Sequence, residues 1–559
     1  MSGFLCISVH FLSPWPTYHG CCDAGETEWP PSPVRLFQAL VASAVDPFDL
    51  SRVSESARLT LDWLTQLPAP SILSPAHIMG SGFRLSVPNN DLDGPAAMWW
   101  KGAEPVKPHR PIDLRTMKTV RPVHIRAITG NEATVHYLYP LPDACPDLDQ
   151  HFTTLRTAAR SITHLGWGID MVAGNAEVLD EAGLADLKGE RWEPSSSGSG
   201  TGLRVPVEGT LTALAERHER FLGRLSTDGF RPVPPLTKFK VVSYRRAFEP
   251  VSPQVAAFQL LQPDFSKPRA FDTVMKSRHV AGMLRCATQQ AANLNGWSDE
   301  RIACFVMGHG EARGEAHRPV GQARLAYLPL PSIERRGTRG NVVTAVRRAL
   351  LTVWGGHGAE EIRWAQRTLS GAALIDKSSQ STTAILSNMP LNDWCVRQYV
   401  PRMGASDWAT VTPVVLPGYD DPDHFRKRLN RRESTLDSTE QRRLLDKLDS
   451  RIDGLLRKAI RQAGYAEELA AHAQLEWRTV GYLAGVDIAS RYEPPPHLKK
   501  LSRYHVKIRW CDASGNAVRV PGPVCLGGGR YVGLGLFAAL DGEQSSETGS
   551  LPPSPPQST

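Results

Sequence analysis

Near the end of the chain, residues 522–537 read Gly-Pro-Val-Cys-Leu-Gly-Gly-Gly-Arg-Tyr-Val-Gly-Leu-Gly-Leu-Phe, six glycines in sixteen positions. Without a Cβ, glycine lets backbone N–H groups approach an anion, so such a stretch can cradle phosphate. The Gly-Lys-Ser/Thr of a P-loop is absent, and no helix opens after a strand as a dinucleotide fingerprint demands. A tight turn between two buried strands fits the same residues. Taken alone, the stretch leaves both readings open.

The chain has 559 residues, too many for one hydrophobic core, so two or more domains are expected. Its hydrophobic fraction of 41% and charged fraction of 22% are ordinary for soluble globular protein. A net charge of +7 and a pI near 8.9 are compatible with nucleic acid without requiring it. The charge is uneven. From Arg426 to Arg461 there are twelve basic and six acidic residues, which concentrates +6 in one segment. Nine scattered cysteines, with no C-x-x-C pair, argue against a zinc site or a disulfide framework and suit a reducing cytosol. The start, Phe4-Leu5-Cys6-Ile7-Ser8-Val9, lacks the features of a signal peptide, and no run of about eighteen apolar residues exists. The expectation is a soluble, cytoplasmic, multidomain protein without membrane contact, metal or cofactor.

In chain order, residues 3–12 read as a strand. Glu28-Trp29-Pro30-Pro31-Ser32-Pro33 follows, with Ser32 as cap and Pro33 at the first helical position. Helices are expected at 54–66, 151–163 and 207–225, and a strand at 133–139. Residues 88–125 interrupt this pattern. Lys107, Arg110, Arg115, Lys118 and Arg121 face the single acid Asp113, not far from Trp99-Trp100. Cations interleaved with aromatics suit an RNA backbone with stacked bases, and a solvated surface excursion fits too. Pro194–Gly202 reads as a flexible segment, and a basic strand, Lys238–Arg246, closes the first half near residue 248.

The second half restarts with a strand at 256–261 and a helix at about 271–292 that carries Arg278, Gly282 and Arg285 on one face. A loop rich in glycine and histidine, 307–318, precedes a strand at 323–331, a strand or short helix at 341–353 and a helix at 359–369. Trp408–Leu416 starts a third unit. A long basic helical region, 422–463, follows, then strands at 481–488 and 505–510, and the glycine stretch. The last residues, about 543–559, are Ser/Pro-rich and read as disordered. Twice, then, the second half runs strand, helix, loop, strands, as two tandem ferredoxin-like (βαββαβ) units would.

A basic α+β module followed by a tandem ferredoxin-like module ending in a Gly-rich loop resembles the RAMP superfamily of CRISPR proteins. More closely, the chain is similar to the fused subunit of type I-G (formerly I-U) systems. There a Cas-five-type module grips the 5′ handle of the guide RNA and is joined to a Cas-six-type repeat endoribonuclease. The carrying residues are Glu28–Pro33 with Arg35-Leu36, Gly308-His309 with Leu325–Pro331, Trp408 with Thr412-Pro413-Val414, and the terminal glycine stretch. The resemblance spans about residues 3–540. It implies an α+β fold of ferredoxin-like (RRM-like) modules, one in a handle-binding domain at 1–248 with a basic thumb at about 88–125. The pair would form an endoribonuclease domain at 249–542, split into about 249–400 and 401–542. Residues 543–559 lie outside it.

The same resemblance implies metal-independent cleavage of CRISPR repeat RNA, in which a 2′-OH attacks the adjacent phosphate. It also implies retention of the mature crRNA in the Cascade surveillance complex. Partners would be the Cas-seven-type backbone and large subunits, with target DNA reached through the complex. Such chemistry needs a proton acceptor, a proton donor and positive charge on the phosphorane. His309 and His317, in a glycine-flanked segment with Arg313 and Arg318, are the first candidates, with His279 beside Arg278 next. A solvated loop with neither histidine catalytic also fits. For RNA holding, the resemblance points to Lys107, Arg110, Arg115, Lys118 and Arg121 in the thumb. Arg278, Arg285, Arg313, Arg318 and the Gly527-Gly528-Gly529-Arg530 loop are its candidates in the second half. The long basic helix suits RNA or a solvated surface laced with i, i+4 pairs. Two other readings remain: an inactive RNA-binding subunit, and an unrelated enzyme whose glycine loop holds a nucleotide phosphate.

Overall fold

A computed structural model describes residues 3–540 except 22–26, 47–48, 89–95, 97, 99–101, 103–114, 127–132, 143–146, 196–199, 227–228, 232, 314–315, 320–322, 337–339, 357, 423 and 430–436. The expected tail at 543–559, Lys107, Arg110 and Trp99-Trp100 therefore lie outside the described residues. The chain divides into two compact units, Met1–Ser196 with Gly200–Ala247, and Ser197–Ser199 with Phe248–Thr559. Both mix helices with antiparallel sheets, an α+β architecture.

In the first unit, β1 (Phe4–Phe11) alternates as a half-covered strand must: Leu5, Ile7, Val9 and Phe11 point into the main core. Then come α1 (Pro33–Ala44), α2 (Glu55–Gln66), β2 (Ser71–Ser74), β3 (Thr134–Pro140), α3 (Leu148–Arg160) and β4 (Val172–Leu179). β5 (Glu190–Ser195), β6 (Thr201–Val205), α4 (Thr210–Leu222) and β7 (Lys240–Arg246) complete it. The sheet order is β4-β1-β3-β2-β5-β7-β6, with Ile7 registered against both Tyr137 and Ala176. Leu36 and Phe37 of α1, Leu61 of α2 and Leu155 of α3 cover one face. Of the expected flexible segment at 194–202, Pro194-Ser195 end β5, Thr201-Gly202 begin β6, and residues 196–199 lie outside the described residues.

The Glu28–Pro33 run has a structural job. Glu28 is buried, and its Oε1 accepts from the Tyr18 hydroxyl (3.0 Å), the Ser32 N–H (3.0 Å) and Arg35 Nε (2.8 Å). Arg204 Nη2 stands 3.5 Å from Oε2. Burial, and after it the Glu28 charge, pushes the Tyr18 hydroxyl well above its usual range, so it stays a neutral donor. Ser32 caps α1 through its carbonyl, which accepts from Arg35 and Leu36 N–H, while its hydroxyl is buried without a partner. The side-chain cap expected there is absent.

The second unit opens with β8 (Gln254–Leu261), α5 (Ser277–Leu294), a hairpin of β9 (His309–Arg313) and β10 (Ala316–Pro319), β11 (Ala326–Arg335), β12 (Asn341–Val353), α6 (Ala359–Thr368), β13 (Ala373–Asp376) and β14 (Ser381–Met389). The order β11-β12-β8-β14-β13 places the strand that precedes α5 beside the one that precedes α6. Ala256, Phe258 and Leu260 pack with Val280 and Leu284 of α5, whereas Ala257 faces the other side, against Tyr399, Leu536 and Ala538. The glycine- and histidine-rich segment, expected as a loop, closes as a hairpin with a bulge between His309 and Ala312.

A second sheet follows, built from β15 (Asp407–Thr410), β16 (Val414–Val415), β17 (Gln474–Arg478), β18 (Arg503–Arg509) and β19 (Phe537–Ala539), with α7 (Ser438–Gln462). Its order is β16-β18-β15-β19, with β17 also on β18. Leu448, Ile452, Leu455 and Leu456 of α7 join Trp408, Val506 and Ile508 in its core. Residues 481–488, expected as a strand, run as turns. Gly485 sits at φ +81°, a Cβ there would meet Val343 O at 2.1 Å, and Leu483 and Val486 pack inward from the bend. Between β18 and β19 the chain makes one 3₁₀ turn, Arg530–Val532, and otherwise lays the glycine stretch directly on its neighbours. No helix among the described residues is long and apolar enough to cross a membrane.

Candidate functional site

α5 buries Val280, Ala281, Leu284, Ala287 and Ala291 against its sheet, which turns Arg278, Gly282 and Arg285 the other way. This face borders a cleft of about 710 Å³, closed by Val306–His309, Arg324 and Leu325, the β13–β14 turn, Pro495–Leu498, and Gly529 with Tyr531 and Val532. A Cβ on Gly282 would meet nothing within 4 Å, so the helix surface lies open there. Sequence-distant segments thus put His279, His309, His497, Arg278, Arg285 and Lys377 around one space.

His279 Nε2 lies 3.1 Å from Asp376 Oδ2, at ion-pair distance but without hydrogen-bond alignment. Asp376 ends β13, at the entry to the β13–β14 turn, where its Oδ1 accepts from the Ser378 N–H (2.9 Å) and hydroxyl (2.6 Å). These bonds, and after them His279, hold the Asp376 carboxyl down at about 2. Arg278 Nη1 donates to Pro494 O (2.8 Å) and Nη2 stands 3.7 Å from Glu493. Arg324 donates to Gly308 O (2.9 Å) and lies over the Tyr531 ring at 3.6 Å. That cation–π contact ties the segment before β11 to the end of the glycine stretch.

The expected site residues divide. His279, His309, Arg278, Arg285 and Gly529 line the cleft, and His309 is exposed. His317 lies on β10 opposite Ala312, Arg313 ends β9 opposite Ala316, and Arg318 lies within β10. Arg530 turns to the end of α7, donating to Gln462 O at 2.8 Å. Gly528 N–H donates to Val415 O (2.8 Å), and a Cβ on Gly527 would meet that carbonyl at 2.4 Å. Those two glycines serve close backbone packing. Arg115, Lys118 and Arg121 are exposed, the first two on the hairpin pairing Phe83–Pro88 with Arg115–Val120 in the first unit. Arg324, Lys377, His497 and Asp376 were missed from sequence. A Pro-rich run with flanking cations, Glu493–Lys500, signalled His497, but Asp376 and Lys377 belong to no motif.

Two buried tyrosines of the second unit are committed to structure. Tyr327 is buried, donates to Val306 O (3.1 Å), and is pushed up by that burial. Tyr504 donates to Asp420 Oδ2 (2.7 Å) and contacts Arg426. α7 carries an i, i+4 pair, Arg457–Asp453 at 2.7 Å. Among the described residues no group of three or more His, Cys, Asp or Glu could hold a metal ion.

His505 is fully buried. Its Nε2 bonds Asp487 O (2.9 Å) and its Nδ1 the Thr410 hydroxyl (3.1 Å), which already accepts from Val506 N–H. The Asp487 carbonyl can only accept, so Nε2 carries the proton and Nδ1 accepts from the Thr410 hydroxyl. Burial pushes its pKa down to about 4. The unfolded chain, titrating near the ordinary ~6.5, then binds the proton the folded state refuses. This group's contribution is complete above about pH 6.5 and lost as pH falls through 4, on the order of 3 kcal/mol. Unfolding curves between pH 7 and 4 are expected to show that slope in wild type and a flatter one in His505→Gln. Equal slopes would contradict the assignment.

The family model described as "CRISPR-associated protein, GSU0054 family" matches residues 9–539. No curated protein matches the chain. Among solved structures, a "Crystal structure of a CRISPR protein from Archaeoglobus fulgidus" is similar over 36% of this chain and 75% of that one, at 14% identity and a TM-score of 0.17.

Proposed function

The chain belongs to the GSU0054 family of CRISPR-associated proteins, and from that premise we propose that it is the fused crRNA-processing subunit of a type I-G surveillance complex. It cleaves precursor crRNA within repeats and stays on the 5′ handle of the product, in a cytoplasmic Cascade with backbone and large subunits that brings it to target DNA. The observation that carries the reading is the cleft of the second unit, where His279 and His309 meet Arg278, Arg285 and Lys377. Two histidines can move the protons of an internal phosphoryl transfer, and the cations can stabilise the phosphorane.

In the chemistry, the 2′-oxygen forms a bond to phosphorus and the 5′-oxygen leaves with its electron pair. One proton goes from the 2′-OH to a histidine and another reaches the 5′-oxygen. The products are a 2′,3′-cyclic phosphate and a 5′-OH. Ferredoxin-like RAMP modules are supported by strand order. β4-β1-β3-β2 in the first unit and β14-β8-β12-β11 in the second each place the first strand between the third and fourth. The last sheet gives β19-β15-β18-β17, with the glycine stretch in place of a second helix. The exposed Arg115, Lys118 and Arg121 support handle binding by the first unit.

The test is incubation of the whole protein with its cognate repeat RNA in EDTA. Cleavage to cyclic-phosphate and 5′-OH ends is expected. RNA that stays intact but bound would sink the nuclease assignment and leave an RNA-holding subunit.

A further inference from the structure

We propose that Asp376 is the positioning residue of a His279–Asp376 pair that fixes which ring nitrogen exchanges protons with RNA in the cleft. This rests on the cleavage reading above. Three observations meet here. The Asp376 carboxylate cannot turn freely, because Ser378 holds Oδ1 from two sides. Its remaining oxygen, Oδ2, stands 3.1 Å from His279 Nε2. That nitrogen is out of solvent, although the His279 side chain is 37% exposed. A carboxylate facing Nε2 favours the tautomer with hydrogen on Nε2 and leaves the Nδ1 lone pair to the cleft side. Nδ1 has no hydrogen-bond partner among the described residues.

The pair also answers an electrostatic need. Arg278 and Arg285 on α5, Arg324 before β11 and Lys377 beside Asp376 surround the cleft with positive charge. His309, His497 and Tyr531 are the other titratable groups on its wall. Glu493 is taken up by Lys499 (2.9 Å) and Arg278. Asp376 is therefore the anion placed against His279, and it stabilises the imidazolium that forms when Nδ1 takes the 2′-OH proton. The proton moves from the 2′-oxygen to Nδ1 as the O–P bond forms, and the 5′-oxygen leaves with its pair and is protonated by a separate donor.

Asp376→Asn separates positioning from folding. The amide oxygen can still accept from Ser378, so the turn is kept, while the amide N–H₂ faces Nε2 and favours the opposite tautomer. The expected result is a roughly 10- to 100-fold loss in single-turnover cleavage with unchanged repeat-RNA affinity. The histidine limb of the pH–rate profile is expected to move to lower pH. Independently of activity, NMR titration of the His279 ring should show its midpoint fall in the variant. An unchanged limb together with an unchanged titration would overturn the pair. If wild type cuts no RNA, the cleavage reading falls, and the His279 titration still decides whether Asp376 governs that ring.

Discussion

His279→Ala and His309→Ala, each alone, are expected to slow single-turnover cleavage of the cognate repeat RNA by ~10²–10⁴-fold, the usual worth of a positioned proton donor or acceptor. Both rings border one cleft, approached from α5 and from the start of β9. Neither substitution touches the cations that would hold the phosphate, so affinity should change little. Denaturing gels with a labelled repeat and a parallel binding titration measure the two quantities. Full-rate cutting by both variants would move the chemistry elsewhere, and His317→Ala is then the next variant. Loss of affinity in step with rate would make these residues RNA contacts and not proton carriers.

Glu28→Ala is expected to destabilise the first unit by about 3–5 kcal/mol, the cost typical of removing one partner from a buried ion pair. Three donors converge on one carboxylate oxygen and a second arginine stands near the other. Removal orphans the buried Tyr18 hydroxyl, the Ser32 N–H at the start of α1 and the Arg35 Nε–H together, leaving Arg35 its bond to Cys21 O. Glu28→Gln keeps an acceptor and loses the charge, so an intermediate loss is expected. Urea unfolding of the full chain, followed by proteolytic protection of the first unit, measures it. A change below about 1 kcal/mol for Glu28→Ala would show that water or rearranged neighbours satisfy those donors.

Much of this architecture was readable from local pattern. The alternation in Phe4–Phe11 marked β1, and the helical spacing in α5 put Arg278, Gly282 and Arg285 on the face that borders the cleft. Bends were harder. The apolar residues of 481–488 looked like a strand because inward-facing turns and strands both need apolar side chains. Glycines in 307–318 suggested a loop, yet glycine also occupies bulged hairpins. The Asp376–His279 contact was invisible in sequence for a different reason. It joins a strand end to a helix nearly a hundred residues away, through pairing that neither segment encodes alone.

The run of the chain from β18 to β19 without an α-helix also bears on how this chain can drift. A helix laid on a sheet tolerates change on its outer face, since side chains there end in water. Between Gly527 and Gly535 backbone lies directly on backbone: a Cβ would meet Val415 O at 2.4 Å at one end and Leu526 O at 1.9 Å at the other. A side chain at either glycine is a wedge in that seam. The stretch is thus expected to tolerate no substitution at these glycines, whether or not a relative has the proposed nuclease activity. Its persistence in a relative would mark an intact scaffold, and say nothing of a working blade.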